Sequence, residues 1–176
     1  MTSPTAVLPR TAAQNVSILL VDDEIAILDG LRRQLRKRFD VHTANSGAEA
    51  LELLSSVPVA VVVSDMRMPQ MDGATFLAHV RARHPDVVRI LLTGQTDTQA
   101  AIKAVNEGQI YRFLTKPCPS DVLVDEIGSA AELNRLVTAE KELLGTTLRR
   151  TVEALTATLS LASPRRSAAP CGSPGP

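Results

Sequence analysis

The fold is decided by the stretch VAVVVSD, Val59–Asp65. Its five consecutive small or β-branched apolar residues are typical of a central strand that is covered on both faces. The run stops at a serine and an aspartate, and a lone acid at the end of so apolar a strand is costly unless it has a partner. The stretch therefore predicts a buried sheet with a charged group, Asp65, at one edge.

Apolar runs on either side of this stretch predict four further strands, which alternate with helices of 3.6-residue period. The strands are expected at residues 17–21, 41–44, 87–92 and 110–114, and the helices at 25–39, 46–57, 76–84, 100–105 and from Ser120 onward. Ser46 and Glu49 have the spacing of a capping box at the start of the second helix. This alternation predicts an α/β fold: a doubly wound, five-stranded parallel sheet whose functional residues lie at the carboxyl ends of the strands.

The composition limits the partners of the chain. Of 176 residues, 44% are hydrophobic and 22% charged, as in ordinary folded proteins, and the 19 basic residues balance the 19 acidic ones. A neutral chain with 2% aromatic residues has no general attraction to nucleic acid or to an anionic membrane. No apolar run approaches the ~20 residues of a membrane span, and two cysteines suit a reducing compartment. We expect a cytoplasmic protein that contacts neither nucleic acid nor membrane.

The predicted strands end in side chains of complementary chemistry. These are Asp22 and Asp23 after the first strand, Asp65 after the third, Thr93 after the fourth and Lys116 after the fifth. Carboxylates gathered at one edge repel each other, and a hard divalent cation such as Mg²⁺ relieves that repulsion. Taken singly, each residue has a simpler explanation, such as acids that favour a helix N-terminus or a lysine exposed to solvent. Their coincidence at one edge favours a site.

Four segments carry a resemblance to the receiver domain of two-component response regulators. They are LVDDE (Leu20–Glu24), VSDMRMPQMDG (Val63–Gly73), LTG (Leu92–Gly94) and LTKP (Leu114–Pro117). The resemblance covers residues 16–130 and implies the flavodoxin-like strand order 2-1-3-4-5. It also implies a signalling switch of a two-component (phosphorelay) system.

The same resemblance implies roles for individual residues. Asp65 is expected to be the phosphoacceptor, which takes a phosphoryl group from a histidine kinase. The Mg²⁺ ligands are expected to be Asp65, Asp23, Asp22 through a water molecule and the carbonyl of Arg67. Such chemistry makes the chain a phosphoprotein rather than an enzyme with an output reaction.

The remaining expected roles concern the response to phosphorylation. Lys116 and Thr93 would each contact a phosphoryl oxygen, and the Lys116–Pro117 bond is expected to be cis. Phe113 is at the position of the switch aromatic and would turn inward as Thr93 moves. Phosphatases on a similar sheet carry an acid two residues after the nucleophile, where this chain has Arg67, which cannot take a proton from water. Self-dephosphorylation is therefore expected to be slow.

The segment after the receiver is predicted to be helical and then disordered. Residues 131–162 continue the helical pattern, with an apolar stripe at 144, 148, 152, 155 and 159 that favours a homodimeric stalk over a helix packed on its own domain. The linker also resembles that of regulators with an HD-type phosphohydrolase output. Residues 163–176 have the composition of a disordered tail, as do residues 1–15, so we hypothesise a truncated member of that group.

Two alternatives stay open on the sequence alone. The chain is either a phosphorylation-dependent switch or an interaction scaffold whose switch is inactive and which acts through its C-terminal helix. The basic run Arg32–Arg38 is either a solvated helix face or a contact for an acidic partner such as a kinase surface. The complete set of acids, threonine and lysine favours the switch.

Overall fold

The computed structural model describes residues 16–94, 97, 101–102, 104–105 and 110–162. Five strands form one parallel sheet, as the alternating pattern predicted, in the order β2-β1-β3-β4-β5 that the resemblance implied. The strands are β1 Ser17–Val21, β2 Asp40–Ala44, β3 Val61–Asp65, β4 Val88–Thr93 and β5 Arg112–Thr115. The helices with defined bounds are α1 Ile25–Leu35, α2 Gly47–Ser56, α3 Gly73–Arg83 and the C-terminal helix Ser120–Ala162.

Both faces of the sheet are buried, because alternate residues of each central strand enter two separate apolar layers. Leu19, Val62 and Leu91 pack with α2 and α3 side chains such as Phe76. Their neighbours Leu20, Val63 and Ile90 pack with α1 and the start of the C-terminal helix on the other face. Every residue of β3 is buried, which confirms the central position of the strand.

Several boundaries differ from the predicted ones. β3 begins at Val61 rather than Val59, because its first partner in β1 is Ile18, and it includes Asp65 as its last residue. α1 ends at Leu35 rather than Phe39, because the N–H of Arg38 donates to the Leu35 carbonyl in a turn. Phe39 still packs against the core. Its spacing of four residues from Leu35 therefore results from its burial and does not mean that the helix continues to it.

Some predicted elements fall outside the described residues. Of the helix expected at 100–105, the described residues 101, 102, 104 and 105 are helical. The segments predicted to be disordered, 1–15 and 163–176, lie outside the described residues, as does Cys171.

The C-terminal helix crosses from one compact unit, Met1–Thr138, into a second, Ala139–Pro176. Within the first unit, Leu123 and Ile127 are buried in the core, and the side-chain amide of Asn134 donates to the Asp86 carbonyl at 2.8 Å. Within the second unit, residues 139–153 are all exposed. No described helix combines the length and the apolarity needed to cross a membrane.

Candidate functional site

The carboxyl ends of β1, β3 and β5 bring three charged side chains into contact. The ammonium Nζ of Lys116 lies 2.9 Å from Asp22 Oδ2 and 2.6 Å from Asp65 Oδ1. Asp22 is 3% exposed and Asp65 is 8% exposed, so both charges are largely withdrawn from water. The lysine therefore supplies the cation that two neighbouring buried carboxylates require.

The second oxygen of each carboxylate is also held. Asp22 Oδ1 accepts the backbone N–H of Glu24 at 2.9 Å, and Asp65 Oδ2 accepts the backbone N–H of Arg67 at 2.7 Å. Both bonds join a carboxylate to the N–H two residues later, in the turn that follows each strand. Each acid thus has one oxygen on the lysine and the other on its own backbone, which fixes its orientation.

Lys116 is held by its backbone as well as by its charge. Its N–H donates to the Thr93 carbonyl at 2.8 Å, and its bond to Pro117 is cis, as the resemblance implied. Burial alone would lower the pKa of the Lys116 ammonium, but hydrogen bonds and charge attraction from Asp65 and Asp22 outweigh it and raise the pKa. The lysine is therefore protonated at neutral pH.

Among the predicted Mg²⁺ ligands, Asp22 and Asp65 lie close together in the structure. Within the described part of the chain, no three His, Cys, Asp or Glu side chains are arranged to hold a metal ion, and Asp23 is exposed. Asp22 and Asp65 do share one cation, Lys116. Mg²⁺ in proteins is often bound by one or two carboxylates together with waters and substrate phosphate, so this oxygen set suits it. A direct bond from Asp23 stays a prediction.

The two residues predicted to form the switch, Thr93 and Phe113, lie on the neighbouring strands β4 and β5. Thr93 is fully buried at the end of β4, and its hydroxyl donates to the Gly94 carbonyl at 3.1 Å. Phe113 is half-buried in β5, opposite Leu91 in the strand register. The hydroxyl must leave Gly94 to reach a phosphoryl group, so the expected role of Thr93 requires a local rearrangement.

The backbone of Asp65 is confined by two residues to which the sequence analysis gave no role. The Ser64 hydroxyl donates to the Asp65 carbonyl oxygen at 2.9 Å. A Cβ atom placed on Gly73 would lie 2.0 Å from that same oxygen, so only glycine lets α3 start so close to β3. Gly73 is the first residue of α3, and the preceding Asp72 caps that helix by accepting the N–H of Thr75 at 2.7 Å.

A second ion pair at this edge was also missed. The guanidinium of Arg67 contacts the Asp97 carboxylate through Nε at 2.6 Å and Nη2 at 2.8 Å. This bidentate contact raises the pKa of Arg67 through its hydrogen bonds to Asp97 and the charge of Asp97. Asp97 follows β4 as Arg67 follows β3, so the rule that strand ends meet at one edge could have suggested the pair.

The basic run lies away from this site. Arg32 and Arg33 are in the last turn of α1, and Arg36 to Arg38 follow it, whereas Asp22 precedes the first turn. All five cations are exposed. Cations in the last turn of a helix also interact favourably with the helix dipole. The basic run is therefore explained as a solvated helix face without an acidic partner protein.

Replacing Lys116 with methionine is expected to destabilise the fold. The change leaves two buried carboxylates without their cation, and we expect a loss of about 2–3 kcal/mol at pH 7, below the range for fully buried pairs because the lysine side chain is 30% exposed. Urea unfolding at pH 7 measures the loss in the free energy of unfolding.

The matched control is Lys37→Met, which removes the same charge from an exposed position. It should change the free energy of unfolding by less than about 0.5 kcal/mol. An equal loss for Lys37→Met and Lys116→Met would contradict the argument that Lys116 neutralises the two buried acids.

Comparison with known proteins gives a consistent picture. A family model described as the response regulator receiver domain matches residues 18–128. The hydrogenase transcriptional regulatory protein HoxA of Cupriavidus necator is 42% identical over 123 residues, which are 70% of this chain and 26% of that protein. The C4-dicarboxylate transport transcriptional regulatory protein DctD of Rhizobium meliloti is 36% identical over 146 residues, 82% of this chain and 30% of that one. The chain thus spans about a quarter of the length of such relatives.

Solved structures agree with these relatives. A structure described as adenylate cyclase from Rhodopirellula baltica has a TM-score of 0.72 at 42% identity and covers 74% of this chain and 98% of its own. The signal receiver domain of an HD domain-containing protein from Pseudomonas fluorescens Pf-5 has a TM-score of 0.65 at 40% identity, with 69% and 98% covered.

Proposed function

Because the chain belongs to the response regulator receiver domain family, we propose that it is a phosphorylation-dependent switch in which Asp65 accepts a phosphoryl group from a histidine kinase. Signalling in two-component systems is the role of the family, and the assignment of residues is ours. The observation that carries it is the shared contact of Lys116 Nζ with Asp22 and Asp65, 2.9 and 2.6 Å away. An interaction scaffold would have no need of a buried carboxylate fixed at a strand end.

In the proposed transfer an Asp65 carboxylate oxygen attacks the phosphorus of the kinase phosphohistidine. A P–O bond forms as the P–N bond breaks, and the electron pair of that bond returns to the imidazole nitrogen. Arg67 N–H holds one Asp65 oxygen, which leaves Oδ1, the oxygen on Lys116, as the nucleophile. The ammonium of Lys116 then moves from the carboxylate to a phosphoryl oxygen.

Charge neutralisation accounts for most of the catalysis expected at such a site. Bound Mg²⁺, held by Asp22, Asp65, the Arg67 carbonyl and, as we predict, Asp23, would offset the negative charge of the transferring group. Thr93 would turn its hydroxyl from the Gly94 carbonyl toward the phosphoryl group. The Phe113 ring would turn inward as Thr93 moves. The Arg67 side chain cannot accept a proton from an attacking water molecule, so hydrolysis of the acyl phosphate on Asp65 is slow and the phosphorylated state persists.

We also propose a homodimer and a cytoplasmic location. The support for the dimer is the apolar stripe of the second unit, where Leu144 and Leu148 are exposed. Relatives carry different named outputs, transcriptional regulation in HoxA and an HD domain in the Pseudomonas fluorescens protein, so the receiver itself does not fix the output.

The proposal is tested with acetyl phosphate as the phosphodonor. The full chain incubated with acetyl phosphate and Mg²⁺ should gain one phosphoryl group, detected by intact-mass spectrometry and mapped to Asp65 by peptide analysis. Chelation of Mg²⁺ by EDTA should lower the labelling rate by at least about 100-fold, because the charge on the transferring group is then uncompensated. A chain that is never labelled, even by a cognate kinase, would favour the scaffold.

A further inference from the structure

An ion pair that the proposed phosphoryl transfer does not use lies beside Asp65, between Arg67 after β3 and Asp97 after β4. The Arg67 guanidinium donates to both oxygens of the Asp97 carboxylate, from Nε at 2.6 Å and from Nη2 at 2.8 Å. The two residues are 30 positions apart in sequence, so the pair ties the turn after β4 to the segment that follows the phosphoacceptor. We call this pair the Arg67–Asp97 latch.

The latch is connected to Thr93 through the Gly94 carbonyl. That oxygen accepts two hydrogen bonds, one from the Thr93 hydroxyl at 3.1 Å and one from the Asp97 N–H at 3.2 Å. A carbonyl oxygen has two lone pairs, so both are occupied. Because the Asp97 N–H forms this turn while Arg67 holds the Asp97 carboxylate, the latch stabilises the arrangement in which Gly94 binds the Thr93 hydroxyl.

The other end of the latch is close to Asp65. The N–H of Arg67 donates to Asp65 Oδ2 at 2.7 Å, so the residue that carries the guanidinium is in contact with the phosphoacceptor. The hydrogen bond to Asp97 and the charge of Asp97 raise the pKa of Arg67 most, and the charge of Asp65 raises it further. The Arg67 side chain is 69% exposed, so the guanidinium can leave Asp97 without leaving a packed interior.

A phosphoryl group on Asp65 would compete with Asp97 for this guanidinium. A protein-bound phosphoryl group carries a charge of up to about −2 at neutral pH and offers three acceptor oxygens, whereas a carboxylate carries one charge. Arginine binds carboxylate and phosphoryl oxygens through the same planar fork of donors, so the exchange preserves its hydrogen bonds. Once the guanidinium leaves, the Asp97 carboxylate is no longer held, and the turn at Gly94 can open and release the Thr93 hydroxyl.

We propose that Arg67 exchanges Asp97 for the phosphoryl group on Asp65, and that Asp97 is a positioning residue which holds Thr93 on Gly94 until this exchange occurs. The proposal rests on the switch proposed above and names the contact that must break for Thr93 to move. The latch favours the unphosphorylated arrangement, and a phosphoryl group at Asp65 favours the open one.

The test measures the binding of beryllofluoride, which attaches to a carboxylate oxygen as a tetrahedral mimic of a phosphoryl group. The full chain is titrated in saturating Mg²⁺, and Kd is obtained from the backbone amide NMR signals of the site. Asp97→Asn should lower Kd by about tenfold, because the mimic no longer has to break the latch. Before any beryllofluoride is added, the Thr93 and Gly94 amide signals of this variant should already be shifted toward their bound positions.

A double-mutant cycle determines whether Asp97 acts through Arg67. In an Arg67→Gln background, Asp97→Asn should change Kd by less than about twofold, since no latch remains to be broken. The double variant R67Q/D97N should bind about tenfold more weakly than Asp97→Asn alone, because the guanidinium that contacts the mimic is gone. A tenfold gain from Asp97→Asn in both backgrounds would overturn the proposal, since it would mean that the Asp97 charge simply repels the anion.

Two control variants and one separate readout complete the test. Asp97→Glu keeps a carboxylate for Arg67 and should stay within about threefold of the wild-type Kd. Asp29→Asn makes the same change at an exposed acid on α1 and should bind like the wild type. If acetyl phosphate labels Asp65 but the cycle shows no coupling, the latch is wrong and the switch stands. If the wild type neither binds beryllofluoride nor is labelled, both proposals are wrong.

Discussion

Asparagine in place of Asp65 is expected to abolish phosphorylation of the full chain by acetyl phosphate. The amide keeps the size of the side chain and a carbonyl oxygen that can accept from Lys116, but it is not a nucleophile for phosphorus. Labelling followed by intact-mass spectrometry should fall below detection, a loss of at least about 1000-fold.

The same variant should remain folded. Asp65→Asn removes one of two buried negative charges that share a single ammonium, so we expect the free energy of unfolding to change by less than about 1 kcal/mol. The control is Asp29→Asn, at an exposed carboxylate on α1, which should label like the wild type. Labelling of Asp65→Asn at the wild-type rate would show that the phosphoacceptor is another residue.

The order and type of the elements could be predicted because burial imposes simple patterns on the sequence. β3 is covered on both faces, so its run from Val61 to Val63 is apolar throughout, without alternation. The ends of elements were predicted less well, since they depend on partners far away in sequence. β3 starts at Val61, the residue that pairs with Ile18 of β1. The sequence around Val59 contains no local pattern that marks this position.

The site shows the same division between what sequence reveals and what only packing decides. Residue types at strand ends pointed to Asp22, Asp65 and Lys116, and the structure brings these three together. The sequence analysis assigned the relief of the acids to a divalent cation, and the structure adds Lys116 as a second positive charge in contact with Asp22 and Asp65. The contact between Gly73 and the Asp65 carbonyl could not be predicted, because it depends on how closely α3 approaches β3.

That contact leads to the second large effect, for Gly73→Ala. A Cβ atom at this position would lie 2.0 Å from the Asp65 carbonyl oxygen and 2.9 Å from both the Asp65 carbonyl carbon and a Leu91 methyl group. Two of these neighbours are backbone atoms of a central strand, so no side-chain rotation can relieve the overlap. Either the start of α3 or the end of β3 must move, and the second movement displaces Asp65 itself.

We expect Gly73→Ala to lower the free energy of unfolding by about 3 kcal/mol, the upper part of the range for an overfilled core. The labelling rate of the folded protein should fall by about 100-fold, because a displacement of about 1 Å at a nucleophile has effects of that size. Urea unfolding and labelling rates measured well below the unfolding transition separate the two effects. Gly30→Ala is the matched control, since a Cβ atom there meets nothing within 4 Å and alanine favours the helix. If Gly73→Ala were as stable and as readily labelled as Gly30→Ala, the close approach of α3 would not be what positions Asp65.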